Sequence, residues 1–235
     1  MVALRLHFVG YSSSKRCDIL SKMLIKRLYA WACERLYAEL AGWYNLISWL
    51  VSFGQWDRWR RLALHQLQGA RVLELGFGTG ELLPHLAART ALTAGLDLSP
   101  AMHNQARRKL ATVGLSLPLV QAQAQAMPFA DHAFDTVVAT FPAPYILEPA
   151  TLIECARLLT PPSTGAPAGR LVIVGLWVTT TNPAWARWLP LFYGRPEKAV
   201  RDRIAARLTA AGFAPTLSEC TVGLFKVGII VAERR

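Results

Sequence analysis

The sequence predicts an α/β fold, a mostly parallel sheet with helices on both faces and a helical cap ahead of it. Three observations carry that expectation. From residue 71 onward, short apolar runs alternate with segments of helical length, the pattern of strands joined by crossover helices. The first run, Val72-Leu73-Glu74-Leu75, opens directly into the glycine-rich turn Gly76-Phe77-Gly78-Thr79-Gly80. The last two runs are separated only by Cys220 to Gly223, too short for a crossover, so they must form an antiparallel hairpin.

The chain divides into a cap, residues 1–68, and an α/β domain, residues 69–235. Within the cap, Tyr29, Cys33, Leu36, Leu40, Trp43, Ile47 and Leu50 are spaced 4, 3, 4, 3, 4, 3, which is helical periodicity. Gly42 divides this run and Ser52-Phe53-Gly54 ends it. Glu39 and Asn45 interrupt the apolar stretch, which is then too short to span a bilayer, so a capping or interfacial helix is expected. In the domain, strands are expected at 71–75, 92–97, 117–122, 134–140, 170–177, 213–220 and 224–232, with a last helix at 200–211 ended by Gly212. The Pro/Gly/Ser/Thr-rich stretch 160–169 reads as a surface loop.

Composition narrows the class. At 235 residues the chain accommodates one α/β domain plus a cap, not two independent cores. Cys17, Cys33, Cys155 and Cys220 lack metal-ligand or disulfide-framework spacing, so no metal is expected and a reducing cytoplasm fits. The first ten residues, interrupted by Arg5 and His7, do not read as a signal peptide. The formal net charge of +11 is uneven: residues 1–61 carry +6, residues 62–160 carry −1 and residues 161–235 carry +6. A basic surface attracts nucleic acid or anionic membrane, and charge alone does not choose between them.

The glycine turn is where the chemistry begins. Glycines at 76, 78 and 80 allow a sharp turn and close approach of a ligand to the backbone. The dinucleotide fingerprint requires glycine at 81, where this chain has Glu81, which argues against nicotinamide or flavin. Glu74 sits among buried-type neighbours, where a carboxylate without a partner is costly, and so reads as a ligand-facing group. The second run ends in Asp97, a carboxylate placed to accept both hydroxyls of a ribose.

Taken in order, four motifs resemble those of class I S-adenosylmethionine-dependent methyltransferases: Glu74-x-Gly76-x-Gly78-x-Gly80; Asp97-Leu98-Ser99-Pro100-Ala101-Met102; Gln123-Ala124 ahead of Met127-Pro128-Phe129 with Phe134-Asp135-Thr136-Val137; and Glu154-x-x-Arg157 ahead of Gly169. The resemblance covers about residues 70–235. It implies a Rossmann-like seven-stranded sheet with one antiparallel strand, and S-adenosylmethionine held by Glu74, Gly76, Gly78, Gly80, Asp97, Leu98, Met102, Gln123, Ala124 and Thr140. Relatives carry aspartate where this chain has Gln123, whose amide carbonyl also accepts from an adenine amino group.

Acceptor residues are expected beyond the carboxyl ends of strands four and five. Thr140-Phe141-Pro142-Ala143-Pro144-Tyr145 lacks the Asp or Asn and the paired prolines of amino-group methyltransferases acting on bases, so a nucleic acid partner is not expected. Tyr44-Asn45 through Gly54, followed by Trp59-Arg60-Arg61, resembles the entry segment of ubiquinone/menaquinone biosynthesis C-methyltransferases, with Asn45 where the family has Asp. That resemblance implies an aromatic lid over the cofactor, with Tyr44 as the lid residue; Tyr145, just beyond strand four, and Trp185, after strand five, are the further candidates to meet a small, apolar acceptor. Five of eight tryptophans lie in residues 31–59, which serves equally to fill ordinary core space or to form a greasy, membrane-facing rim. His103 and His132 are candidate bases that also fit as surface histidines, and no catalytic residue is assigned. Two functions stay open: a cytoplasmic or membrane-peripheral methyltransferase, and a non-catalytic protein that binds the same nucleoside to regulate or scaffold.

Overall fold

A computed structural model describes residues 52, 54–163, 167–187, 189, 193 and 197–235. The periodic helix expected in 20–53, and with it Tyr44, lies outside the described residues apart from Ser52. The described chain begins with α1 (Trp56–Arg60) and a 3-10 turn (Arg61–Gln66), then enters β1 (Arg71–Leu75). There follow α2 (Leu83–Ala87), β2 (Leu92–Asp97), α3 (Pro100–Thr112), β3 (Leu119–Gln121), β4 (Thr136–Thr140), a 3-10 turn (Pro144–Leu147) and α4 (Pro149–Leu158). The chain ends with β5 (Arg170–Thr180), α5 (Pro183–Ala186), α6 (Lys198–Ala210), β6 (Phe213–Val222) and β7 (Phe225–Arg234).

The strands form one seven-stranded sheet in the order β3-β2-β1-β4-β5-β7-β6. Pairs from β3 through β5 are parallel, and β7 runs antiparallel to both β5 and β6, so β7 is the single reversed strand. The chain builds outward from β1 to β3, then crosses back to place β4 on the other side of β1. Strand order therefore reverses between β1 and β4, where an open α/β sheet leaves a crevice at the carboxyl ends.

Alternation along the strands divides the core into two layers. Leu73, Leu75, Val137, Ala139, Leu171 and Ile173 face α4 and α6 through Leu152, Cys155, Leu158, Ile204 and Leu208. Val72, Val138, Val172, Val174 and Ile229 face the other way, onto Trp59, Ala63, Leu82 and Leu86. Trp59 is fully buried, and its ring meets Phe225 edge-on at 5.1 Å. Truncating so large a buried ring costs about 3–5 kcal/mol, which makes α1 part of the fold's stability. Gln68 seals the junction: its N–H donates to Thr136 Oγ1 at 3.0 Å, and that hydroxyl donates back to Gln68 O at 2.7 Å. Residues 56–68 of the expected cap thus share a core with β1.

Strand edges differ from expectation where tertiary pairing decides them. β5 runs on to Thr180, because after a register shift between Val174 and Val178 it pairs again with β7 as far as Phe225. β4 begins at Thr136, two residues later than expected, because Phe134 bridges Leu159 and the Asp135 carboxylate is taken up by the N–H groups of Ala70 and Arg71. β3 keeps only Leu119–Gln121 of the expected 117–122.

Candidate functional site

The carboxyl ends of β1, β2 and β4 converge on the glycine turn. Gly76, Gly78 and Gly80 all have positive φ, at 72°, 55° and 75°. Their uses differ. A Cβ on Gly80 would lie 2.8 Å from Ala106 Cβ, so this glycine lets α3 pack against the turn. A Cβ on Gly76 would collide with the Tyr145 hydroxyl, so Tyr145 crosses the crevice from β4 to lie over the end of β1. A Cβ on Gly78 would meet nothing within 4 Å among the described residues, which leaves open space above its backbone there.

Asp97 ends β2, half-buried, and locks the turn. Its Oδ2 accepts the Gly78 N–H at 2.9 Å and its Oδ1 accepts the Ser99 N–H at 2.9 Å. Each carboxylate oxygen keeps a lone pair for a ligand hydroxyl. Ser99 then caps α3 by accepting from Met102 N–H, and Pro100 occupies the first turn, so the helix starts directly beneath the carboxylate. Leu98 is 60 % exposed and offers an apolar face beside Asp97, while Met102 is fully buried and supports α3 from inside.

Glu74 lies two residues before the turn on the α1 side of the sheet, sharing that face with Val72. It is 2 % exposed, and its Oε2 is buried without a hydrogen-bond partner among the described residues. Burial pushes its carboxyl up to about 8, against the Arg60 charge, which favours ionisation, and with the Asp97 charge, which opposes it. The Arg60 Nε is likewise buried and unpartnered among the described residues. A buried carboxyl without a hydrogen-bond partner among the described residues, beside the glycine turn, marks Glu74 as a candidate ligand contact.

The loop after β3 carries Gln123, exposed, and Ala124, nearly buried. It is clamped from α4. Arg157 donates to Phe129 O and Met127 O at 2.8 Å each and to Asp131 Oδ1 at 2.7 Å, while Glu154 accepts the Met127 N–H at 2.7 Å. The Arg157 guanidinium holds the Glu154 carboxyl below its ordinary range.

Beyond β4, Thr140 is half-buried and Phe141 takes a φ of 49°, a left-handed conformation that a bulky residue adopts only when its surroundings enforce it. The Phe141 N–H donates to Val174 O at 2.7 Å, and its ring occupies the space that a Cβ on Gly175 would need. That ring lies 4.5 Å from Trp56 and 6.1 Å from Tyr193, in an aromatic cluster that half-buried Trp185 also packs against. Trp188, Leu191 and Phe192 lie outside the described residues, as does Tyr44.

Neither histidine faces the crevice. His103 is buried against Phe77 and its Nε2 lies 3.1 Å from Asp97 O, a tie between helix and strand. His132 sits ahead of β4, with Nδ1 3.2 Å from Leu159 O and its own carbonyl bonded to Arg71, at the opposite end of the sheet. Sequence reasoning did not single out Arg60 or Phe141. Arg60 had a signal, in its place within Trp59-Arg60-Arg61; Phe141 had none.

Comparison with known proteins agrees with this geometry. Residues 72–162 match the family model described as a methyltransferase domain. The demethylmenaquinone methyltransferase of Thermus thermophilus is 39% identical over 145 residues, covering 59% of this chain and 63% of the relative. The phosphatidylethanolamine N-methyltransferase of Cereibacter sphaeroides is 38% identical over 128 residues, 53% of this chain and 60% of the relative. The chain spans less than two thirds of the length of these curated relatives. An S-adenosylmethionine-dependent methyltransferase from Clostridium acetobutylicum shares the fold with a TM-score of 0.61 and 13% identity, covering 82% of this chain and 98% of that one.

Proposed function

We propose that this chain, which carries a methyltransferase domain on the class I fold, moves the sulfonium methyl group of S-adenosylmethionine to a small, lipophilic acceptor. The observation that carries the proposal is the cradle. Asp97 at the end of β2 fastens the turn at the end of β1 through Gly78, and the space above Gly78 is open. The Glu74 Oε2, buried without a hydrogen-bond partner among the described residues, fits a cationic ligand group in the same crevice.

We assign Asp97 to the ribose, Leu98 and Ala124 to the faces of the adenine and Gln123 to its amino group. Gly76, Gly78 and Gly80 give backbone access, Glu74 and Thr140 line the crevice, and Met102 supports α3. When bound, S-adenosylmethionine supplies a methyl group already activated by its positive sulfur. The protein's part is alignment and exclusion of water, so the described site needs no strong base. Tyr145, over the end of β1, is the residue we assign to orient the acceptor, and Trp185 is assigned to its apolar side; Tyr44 is assigned to the acceptor from the sequence resemblance alone.

The aromatic cluster beside the end of β4 supports an apolar acceptor. Two relatives are named for a demethylated menaquinone and for phosphatidylethanolamine, molecules that share long apolar chains. We place the protein in the cytoplasm with peripheral contact to anionic membrane. The charge of residues 1–61 supports that contact, and among the described residues no helix is long and apolar enough to cross a membrane. The test is incubation with methyl-tritiated S-adenosylmethionine and a total lipid extract. Label is expected in the organic phase; label confined to water-soluble products would reject the lipophilic acceptor.

A further inference from the structure

We propose that Phe141 is a positioning residue for the acceptor: its inverted ring, locked against Gly175, sends the chain out of β4 along the path that brings Tyr145 back over the end of β1. The inference rests on the proposed reaction with a lipophilic acceptor. Side chains along β4 alternate between faces, Val137 and Ala139 toward α4 and α6 and Val138 toward α1. Continued, that alternation would aim Phe141 at α4 and α6. Its φ of 49° turns it over, and its ring packs instead on the α1 side with Trp56, Trp59 and Tyr193. The face it leaves is the one on which Tyr145 packs, with the phenol hydroxyl in the space that a Cβ on Gly76 would need.

The neighbouring strand breaks its own pattern at the same level. The Phe141 N–H donates to Val174 O at 2.7 Å, the next residue, Gly175, has a φ of 87°, and the pairing of β5 with β7 shifts register between Val174 and Val178. Ahead of the shift, Ile173 and Val174 alternate between the two faces; after Gly175, Leu176 and Trp177 both pack on the α4 and α6 side. A Cβ on Gly175 would lie 2.3 Å from the Phe141 ring, so the glycine makes room for it. Irregular strand geometry re-aims the side chains beside it, and a bulky residue with a left-handed φ persists only where its surroundings hold it there. Two irregularities that fit each other across adjacent strands, at the carboxyl ends where the acceptor must lie, act as one device. Pro142 and Pro144 fix φ on the short path from Phe141 to Tyr145, so the turn set at one is carried to the other.

Fluorine NMR of the full chain carrying fluorotyrosine reads this directly, with the Tyr145 resonance assigned by its loss in Tyr145→Phe. Phe141→Ala should shift or broaden that resonance and lower methyl transfer into the lipid extract about 10- to 100-fold, the cost of a misplaced orienting group. Affinity for S-adenosylhomocysteine should stay within about twofold of wild type. Phe141→Gly accepts the backbone angle without supplying the ring and should fail in the same way. Phe141→Leu keeps apolar bulk in the space and should recover part of both signals. Gly175→Ala pushes the ring aside and should move the Tyr145 resonance from another strand; once the ring is cut back in Phe141→Ala, the same change should add little. Should Phe141→Ala fail to fold, Phe141→Leu alone and combined with Gly175→Ala carries the same comparison. An unmoved Tyr145 resonance, unchanged transfer, or a Gly175→Ala effect that is the same with and without the ring would overturn the positioning role. Equal loss of transfer and of S-adenosylhomocysteine affinity would also overturn it, in favour of a damaged cofactor site. Wild-type protein that labels no lipid would refute the proposed reaction, and the positioning role with it.

Discussion

The Asp97 carboxylate accepts the Gly78 N–H at 2.9 Å, and this one bond joins the ends of the two strands between which a nucleoside would lie. It makes a single side chain both part of the cradle and a ligand for what the cradle holds. The second oxygen, bonded to Ser99 N–H, sets the start of α3, so the geometry of turn, strand and helix is fixed before any ligand arrives.

Asp97→Ala should therefore weaken S-adenosylhomocysteine by roughly 1.5–3 kcal/mol, the loss of charge-assisted bonds to two hydroxyls. Part of that loss comes from a loosened turn. Asp97→Asn keeps one carbonyl acceptor and should fall between wild type and alanine. Titration calorimetry checks the order, and an unchanged affinity in a folded alanine variant removes the ribose assignment.

Two glycines of the same turn should respond in opposite ways. Gly78→Ala forces a Cβ into the open space and an unfavourable φ, costing about 1 kcal/mol of stability while weakening binding by more than about tenfold. Gly80→Ala sets a Cβ 2.8 Å from that of Ala106, and overpacking adds about 1–3 kcal/mol to the conformational cost. Thermal melts with and without S-adenosylhomocysteine separate the two. A Gly78→Ala protein that binds normally would show that the space is not the ligand's.

Arg157 should act on the adenine side alone. It holds the carbonyls of Met127 and Phe129, so Arg157→Met should raise hydrogen exchange across residues 123–131. Affinity for methylthioadenosine and S-adenosylhomocysteine should fall together, since both carry the adenine. Unchanged exchange would show that the loop keeps its shape without the clamp.

How far the sequence reveals this site depends on whether a residue's role is local. The glycine turn, Asp97 and the buried runs of β1, β2 and β4 were legible because their patterns come from short-range geometry and burial. The far end of β5 was not, since Val178 to Thr180 form strand only by pairing with β7 beyond the register shift. Glu154 and Arg157 stood out as a motif, but the loop they hold lies about 27 residues earlier and is joined to them only by folding. Arg60 was visible as a charge beside a tryptophan. Its guanidinium Nε is buried without a hydrogen-bond partner among the described residues, and burial of that kind has no sequence period to betray it.

The membrane expectation is testable by itself. Vesicles rich in anionic lipid should co-sediment the full chain at low salt and release part of it as ions screen the attraction, since residues 1–61 carry a net charge of +6. Absence of low-salt binding would leave a water-borne acceptor as the better choice.

Glu74 offers a signature that separates function from fold. Its carboxyl, raised to about 8 by burial, holds its proton at pH 7, whereas in the unfolded chain it ionises near the ordinary 4.5. Between those values the folded state binds the extra proton, so stability falls as pH rises from about 4.5 to about 8. Glu74→Gln removes that penalty. The ligand-free variant should exceed wild type by about 1 kcal/mol or more near pH 8, with the difference vanishing below about pH 4. Its affinity for S-adenosylhomocysteine should nevertheless fall, because a neutral amide attracts an ammonium group less strongly than a carboxylate. Wild-type binding at pH 7 should release a proton, read as a dependence of the calorimetric enthalpy on the buffer's own ionisation enthalpy. A more stable protein that binds less well is the mark of a buried charge kept for its ligand. A glutamine variant that loses stability, or that binds unchanged, would make Glu74 a structural residue.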